Sequence, residues 1–407
     1  MSTYDIIRLG HQGDGIAEGP VFAPLTLPDE TVSGDREGDR LYDIKILTPS
    51  EHRVAPPCRH FKACGGCQLM HASDGFVAGW KQEVVERALA TQRIETTFRP
   101  IATSPAQSRR RATFSARRTK KGAMAGFHGR ASGVIVEIPD CQLLHPDLLA
   151  ARPVAEALAA LGGSRKGELS VQITLSEAGL DVLAQGGKPL DRGLEVSLAE
   201  LAGQFPIARL VWEDEPIAMR SPPDQRFDGI RVVPPPGAFL QATAHGQAVL
   251  TAAMLEAVGK ADHVADLFAG CGTFALPLAR GAEVHAVEGE RSMLTALDEG
   301  WRRAEGLKKV TTEARDLFRN PLLPQELEKY DAVVLDPPRA GAEAQVAQLA
   351  QSKVPVLGFV SCNPVTFARD ARVLIAGGYR LDWVQVVDQF RWSSHIELAA
   401  RLTRAHI

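Results

Sequence analysis

Three stretches of this chain hold residue types that do chemistry. In "GFVSCNPVTFARD", residues 358–370, Cys362 stands just beyond an apolar run and just before a helical pattern. A thiol at such a strand tip faces the ligand edge of a parallel sheet, where helical N–H groups would favour its thiolate. Near the carboxyl end, "SSHIELAARL" places His395 and Glu397 before another apolar run, where a returning strand pair brings them to the same edge. In "VADLFAGCGTFALPLA", residues 264–279, a strand pattern ends in Asp266 and a loop with Gly270 and Gly272 leads into a helix. Glycines at that place let the backbone approach a ligand closely. A lone cysteine is commonly buried and inert, but the polar Ser-Cys-Asn-Pro setting does not fit that reading.

Glu288 closes the next strand pattern, 18 positions after Gly270, where a carboxylate binds ribose hydroxyls. The loop is not G-x-G-x-x-G, which turns the reading from a dinucleotide toward S-adenosylmethionine (SAM). D-x-F-x-G-x-G resembles the first motif of class I methyltransferases. "LDPPRAG", residues 335–341, sets Asp336 at the end of a further strand. Asp-Pro-Pro of this kind recurs in amino methyltransferases, so methylation of a base nitrogen is one reading. A thiol, a carboxylate and a methyl donor fit another. Carbon 5 of uracil is too weak a nucleophile to attack a sulfonium unaided. Addition of Cys362 to carbon 6 would place electron density on carbon 5, and Glu397 would later remove the carbon 5 proton as the thiol is eliminated. Nitrogen methylation needs no covalent adduct, so the Cys–Glu pair weighs against it.

The elements that must position these groups follow in order. From about residue 238, strand and helix patterns alternate: HVADLF, AEVHAVE, YDAVVLDPP, VPVLGFVSCNP and LDWVQVVDQF are strands with helices between. This is the α/β rhythm of a Rossmann-like, doubly wound parallel sheet. Residues 1–52 break into about five short strand patterns with glycine and acidic turns, which suits a small β-barrel of the OB type. Residues 58–236 read as a central α+β domain, with helices at 80–91 and 147–161 and a hairpin in "LSVQITLSEAGLDVLAQ". "VVPPPGAF" marks the boundary to 237–407, since three prolines in a row stop any element.

Two further features lie in the central segment. "CRHFKACGGCQLMH" spends three of the six cysteines within ten positions, at Cys58, Cys64 and Cys67. With no signal-peptide pattern at the amino terminus and no apolar run long enough for a membrane, the chain is expected to be cytoplasmic. There, clustered thiols mean metal or catalysis more often than disulfides. Between Ser108 and Gly122 stand seven basic residues and no acidic one, against a net charge of −3 for the whole chain. Such a run is either a solvated face or a surface for phosphates.

Taken together these residues resemble the RNA uracil-5-methyltransferase family, most closely its 23S ribosomal RNA members with an iron–sulfur cluster. The resemblance spans nearly the whole chain, from a TRAM-like barrel through "FLQ", "DLFAGCGTF", "DPPRAG" and "SCNP". It implies Cys362 as nucleophile and Glu397 as general base. It implies Gln241, Phe268, Gly270, Thr273, Glu288, Asp316 and Asp336 around SAM; Thr273 and Asp316 stand where relatives carry Asn. Relatives hold a [4Fe–4S] cluster on a close cysteine trio and one distant cysteine. With Cys271 in the SAM loop and Cys362 committed to catalysis, Cys141 in "IPDCQLLHP" remains as the fourth ligand. By spacing alone four thiolates suit zinc equally well, and the radical-SAM spacing C-x3-C-x2-C is absent. The basic residues Arg109, Arg110, Arg111, Arg117, Arg118, Lys120 and Lys121 are then expected to touch RNA phosphates, with Phe114 and Phe127 either stacking on bases or packing in the core. The target uridine would be single-stranded or flipped out, and a monomer suffices. Two alternatives are the same reaction on a transfer RNA loop, and an RNA-binding protein that keeps the fold without turnover.

Overall fold

The short strands of the first fifty residues close on themselves. In this computed structural model, which describes residues 2–404, β1 (Ser2–Leu9), β2 (Gly15–Ala17), β3 (Val21–Ala23), β4 (Thr31–Glu37) and β5 (Arg40–Thr48) form a barrel in the order β1-β2-β3-β5-β4. Pairing of β1 with β4 seals it, so no free edge remains. Ile6, Val21, Val32 and Leu41, the inward members of the alternation, fill its centre.

After the barrel comes α1 (Asp74–Thr91), which starts six residues before the helix expected at Trp80. Gly75 and Gly79 weaken its first turns as isolated helix. Packing decides the matter, because Val77 and Trp80 join Leu9 and Leu27 of the barrel in one apolar cluster. Next is β6 (Thr97–Thr103), which the residue pattern does not announce. The central sheet follows, built from β7 (Arg111–Arg118), β8 (Ala123–His128), β9 (Ile135–Val136), β10 (Leu169–Ser176), β11 (Gly179–Gln185), β12 (Ile207–Trp212) and β13 (Glu215–Met219). Its order is β13-β12-β11-β10-β7-β8-β9, and β10–β11 is the expected hairpin. The helix expected over 147–161 is two, α2 (Pro146–Ala150) and α3 (Arg152–Gly162), because Pro153 has no N–H to continue the first. Helix α4 (Arg192–Gln204) covers the same sheet, and the hairpin β14 (Gln225–Phe227)–β15 (Ile230–Val232) leads out of it.

The carboxyl-terminal part alternates as read: α5 (Ala244–Val258), β16 (His263–Leu267), α6 (Ala275–Leu278), β17 (Glu283–Glu288), α7 (Arg291–Arg303), β18 (Val310–Ala314), α8 (Pro324–Leu327), β19 (Ala332–Leu335), α9 (Glu343–Gln351), β20 (Val356–Ser361), α10 (Pro364–Ala376), β21 (Tyr379–Asp388) and β22 (Leu398–Arg404). The sheet order is β18-β17-β16-β19-β20-β22-β21-β6. The first five strands are parallel, and β22 runs antiparallel between β20 and β21. Buried on both faces, these strands read as continuous apolar runs such as AVVL in β19. Among the described residues no helix is long and apolar enough to cross a membrane.

The expected central segment 58–236 is therefore not one unit. Strand β6 is the edge of the carboxyl-terminal sheet, parallel to β21, and Val85 and Leu89 of α1 share a core with Leu335 and Phe359. The tie is ionic as well as apolar. Lys81 of α1, wholly buried, donates to Asp388 Oδ1 at 2.5 Å and to the Phe390 carbonyl at 3.0 Å. Removing one member of such a pair strands the other charge in the interior. Lys81→Met should cost about 3–5 kcal/mol in urea unfolding, whereas Arg87→Ala, on the exposed side of the same helix, should stay within about 0.5 kcal/mol.

Candidate active site

Strand register places the chemistry. Residues at the carboxyl ends of the parallel strands share one edge, the usual ligand edge of such sheets. Phe268 follows β16, Glu288 ends β17, Asp316 follows β18, Asp336 follows β19 and Cys362 follows β20. Strand β22 is antiparallel to β20, and Ser361 pairs with Leu398. Cys362 and Glu397 each stand one step beyond that pair, at the same end of the sheet. A cavity of about 560 Å³ opens over this edge, and every residue expected around SAM or in catalysis lines it: Gln241, Phe268, Gly270, Thr273, Glu288, Asp316, Asp336, Cys362 and Glu397. His395 is exposed and rests near the Phe390 ring instead.

The glycine loop is shaped by backbone that few residues adopt. Gly272 has φ +92°, and a Cβ there would lie 2.8 Å from Leu297 Cγ. Glu288 Oε2 accepts the Gly270 N–H at 3.1 Å, and its Oε1 accepts the Glu290 N–H at 3.0 Å. The acid is thus aimed at the loop. Asp266, fully buried beneath, is held well above the usual carboxylate range by burial and by the charges of Asp336 and Glu288.

A chain of amides joins the two carboxylates deeper in the site. Gln389, which the sequence does not single out, donates to Glu397 Oε2 at 3.0 Å and to Gln241 Oε1 at 2.6 Å. Gln241 Nε2 lies 3.4 Å from Asp336 Oδ2. Burial, and then the charge of Asp336, push Glu397 well above the usual carboxylate range, while the Gln389 donor pulls it back. Burial raises Asp336 likewise. Two such acids in one apolar site titrate together. The thiol departs from expectation: burial first, then the charges of Glu397 and Asp336, push Cys362 up to about 11. A backbone N–H at Cys362 and the Arg339 guanidinium pull the other way, and Asn363 caps helix α10 by accepting the Val365 N–H at 3.1 Å.

The four other expected ligand cysteines gather against the central core as free thiols. Burial and then Cys141, Cys64 and Cys58 push Cys67 up to about 12, so the four sulfurs share one neighbourhood. Asp140, next to Cys141, meets His60 Nε2 at 2.6 Å and Arg59 Nε at 2.9 Å. That clamp binds the trio's loop to the distant cysteine. Among the described residues no three or more His, Cys, Asp or Glu side chains are arranged to hold a metal ion.

The basic run divides. Arg110 donates to the Gln241 carbonyl at 3.2 Å and to Gln247 Oε1 at 2.6 Å. Arg109 packs toward the Phe390 ring, and Arg117 pairs with Glu168 at 3.2 Å. Arg111 lies 5.7 Å from the ring of Phe239, an aromatic exposed at the cavity mouth. Only Arg118, Lys120 and Lys121, at the β7–β8 turn, are both exposed and without an ion pair among the described residues. Phe114 is fully buried and stacked on Phe127 at 5.6 Å, which assigns it to the core and not to bases.

The family model described as tRNA (Uracil-5-)-methyltransferase matches residues 235–405, the part that builds this cavity. Over 402 residues the chain is 43% identical to an uncharacterized RNA methyltransferase of Brucella suis biovar 1, covering 98% of this chain and 97% of that one. It is 34% identical over 420 residues to the 23S rRNA (uracil(1939)-C(5))-methyltransferase RlmD of Halomonas elongata, covering 96% and 86%. The chain belongs to the RNA uracil-5-methyltransferase family. As an RNA methyltransferase it shares its fold end to end with a solved tRNA (uracil-54, C5)-methyltransferase of Pyrococcus abyssi, at TM-score 0.76 and 22% identity, over 98% of this chain and 99% of that one. That enzyme was solved with S-adenosyl-L-homocysteine.

The raised acids have a thermodynamic signature. Their folded-state pKa values exceed the unfolded ones, so between the ordinary carboxylate range and neutrality the folded chain binds more protons. Stability contributed by them is full below that range and is lost as pH rises through it. Urea unfolding of the ligand-free protein should show a loss on the order of 2 kcal/mol between about pH 5 and pH 8, and Glu397→Gln should remove much of that slope.

Proposed function

We propose that this enzyme methylates carbon 5 of a uridine in 23S ribosomal RNA, with SAM as methyl donor and Cys362 as covalent catalyst. The observation that carries the reading is the β20–β22 register, which sets a thiol and a carboxyl against one another in the cavity with the glycine loop. Cys362 Sγ adds to carbon 6, forming the C–S bond and moving the 5,6 double-bond electrons to an enolate. Bound SAM would supply the methyl group that carbon 5 takes, its S–CH3 bond breaking and S-adenosyl-L-homocysteine leaving. Glu397 removes the carbon 5 proton, the double bond re-forms and the C–S bond breaks, returning the thiolate. Glu288 is suited to ribose hydroxyls, while Gln241, Phe268, Gly270, Thr273, Asp316 and Asp336 complete the SAM site. Phe239, exposed at the mouth with Arg111 over it, is suited to stack on the base or its neighbour.

Cys362 must lose its proton although burial and the charges of Glu397 and Asp336 raise its pKa. A cationic sulfonium beside Asp336 and Glu397 would offset the two charges that hold the thiol protonated. Cys58, Cys64, Cys67 and Cys141 would hold a [4Fe–4S] cluster, whose role is to tie the central domain together. Free thiols in one neighbourhood, with Arg109 and Arg130 facing Cys67, suit an anionic thiolate cluster. Arg118, Lys120 and Lys121 are the basic residues placed for RNA phosphates; for Arg110 the internal bonds favour a scaffold role. The barrel is read as a TRAM-like RNA-binding unit, and the enzyme as a cytoplasmic monomer.

Ribosomal RNA is favoured by the relative from Halomonas elongata. The barrel does not separate the two substrates, because the archaeal tRNA enzyme matches this chain over its full length. Transfer RNA is therefore the second reading. Anaerobically purified protein, SAM and 5-fluorouridine-substituted 23S RNA should give a denaturation-resistant protein–RNA band, since fluorine on carbon 5 cannot leave as a proton. Cys362→Ala should abolish it. Trapping on substituted transfer RNA alone would replace the substrate assignment, and trapping on neither would remove the mechanism. Separately, Cys141→Ser should lower bound iron and visible absorbance in the purified protein, while leaving zinc content unchanged.

A further inference from the structure

Gln389 lies just beyond β21 and is 1% exposed. Its orientation is determined by a group that can only donate: the Ala242 N–H reaches Gln389 Oε1 at 2.8 Å. The amide nitrogen must then face the other way, where Gln241 Oε1 and Glu397 Oε2 both accept from it. All three polar positions of this side chain are in use. The fold makes room for it deliberately: a Cβ on Gly246, in the first turn of α5, would lie 2.7 Å from Gln389 Cβ and 3.0 Å from Oε1. Polarity passes onward, since Gln241, accepting through Oε1, turns its own amide nitrogen toward Asp336.

The consequence for Glu397 is asymmetric. One carboxylate oxygen, Oε2, is capped by a neutral donor. The other, Oε1, is left to take a proton. We infer that Gln389 is a positioning residue for proton removal: it holds Glu397 with Oε2 capped and Oε1 presented to carbon 5, in one frame with Gln241. This role rests on the reading of Glu397 as the base. The same donor favours the ionised carboxylate, the form that accepts the proton. Gln389 does not touch Cys362 in any hydrogen bond among the described residues, so thiol addition does not run through it, and it reaches the methyl donor's site only indirectly, through Gln241.

The test separates those steps. Adduct trapping on 5-fluorouridine RNA stops before proton removal, whereas tritium release from [5-³H]uridine RNA requires it. Gln389→Met keeps length and volume but has no donor. It should trap adduct within about threefold of the wild-type rate and release tritium about 10–100-fold more slowly. The acidic limb of its pH–rate profile should move up by about one unit, because loss of the donor raises Glu397 further. Gln389→Glu keeps the shape and the Ala242 contact; as a carboxylate it should show the same split, which eases at low pH where the new acid can donate. Equal losses of trapping and tritium release in both variants would make Gln389 a structural filler and overturn the role. So would unchanged tritium release. A wild-type enzyme that neither traps nor releases tritium overturns the reaction itself, and this role with it.

Discussion

The pairing of β22 against β20 is the constraint on which the site depends. Cys362 and Glu397 belong to different loops, and neither loop touches the other through a long element of its own. What brings them together is the antiparallel register of β22 on β20, Ser361 against Leu398, at the end of the parallel part of the sheet. A slip of one residue would turn the facing side chains to the opposite face of the sheet. The register is secured on one face by fully buried Phe359, Ala400 and Leu402 and on the other by Val360 and Ala399. It is secured from outside by β21, which pairs with β22 along most of its length. Hydrophobic burial here has a chemical product: it brings a thiol and a carboxyl to one cavity.

The electrostatics follow from that placement. Bringing two carboxyls and a thiol to a dry sheet edge raises all three, because none of the charged forms is well solvated and each disfavours the others. The fold answers with amides rather than with cations. Gln389 and Gln241 supply N–H groups to the acids without neutralising them, while the cations of the cavity wall, Arg315 and Arg339, stand elsewhere in its lining. Arginine is close at hand, yet Arg110 spends its guanidinium on the Gln241 carbonyl and on Gln247. It holds the backbone of the amide relay from behind.

Much of this was legible in the chain itself. Phe268, Gly270, Glu288, Asp336 and Cys362 are each flagged by a local strand–loop–helix pattern, and local patterns survive in one dimension. The misreadings share a cause. The Cys362 thiol was expected to be acidified by its helix, but its dominant neighbours, Glu397 and Asp336, are distant in sequence. Gln389 could not be seen because its partners Ala242 and Gln241 lie 147 and 148 positions away. A basic run reads as one surface, yet Arg110, just before β7, is drawn inward by Gln241 and Gln247, whereas Lys120 stands in the exposed turn after it. Gly75 and Gly79 hid the start of α1, and Pro100 inside β6 hid a strand whose only neighbour comes far later.

That edge strand has a consequence for how the molecule comes into being. Pro100 and Gln385 share a hydrogen bond across 285 positions. During synthesis β6 leaves the ribosome early and must wait, unpaired, while the central sheet and all the parallel strands emerge. Its partner β21 is made about 280 residues later. Contacts of such separation are slow to form, and an unpaired strand invites wrong partners meanwhile. The methyltransferase half of this chain is thus not a module that can be cut free at the prolines, since its border was laid down before the central domain began.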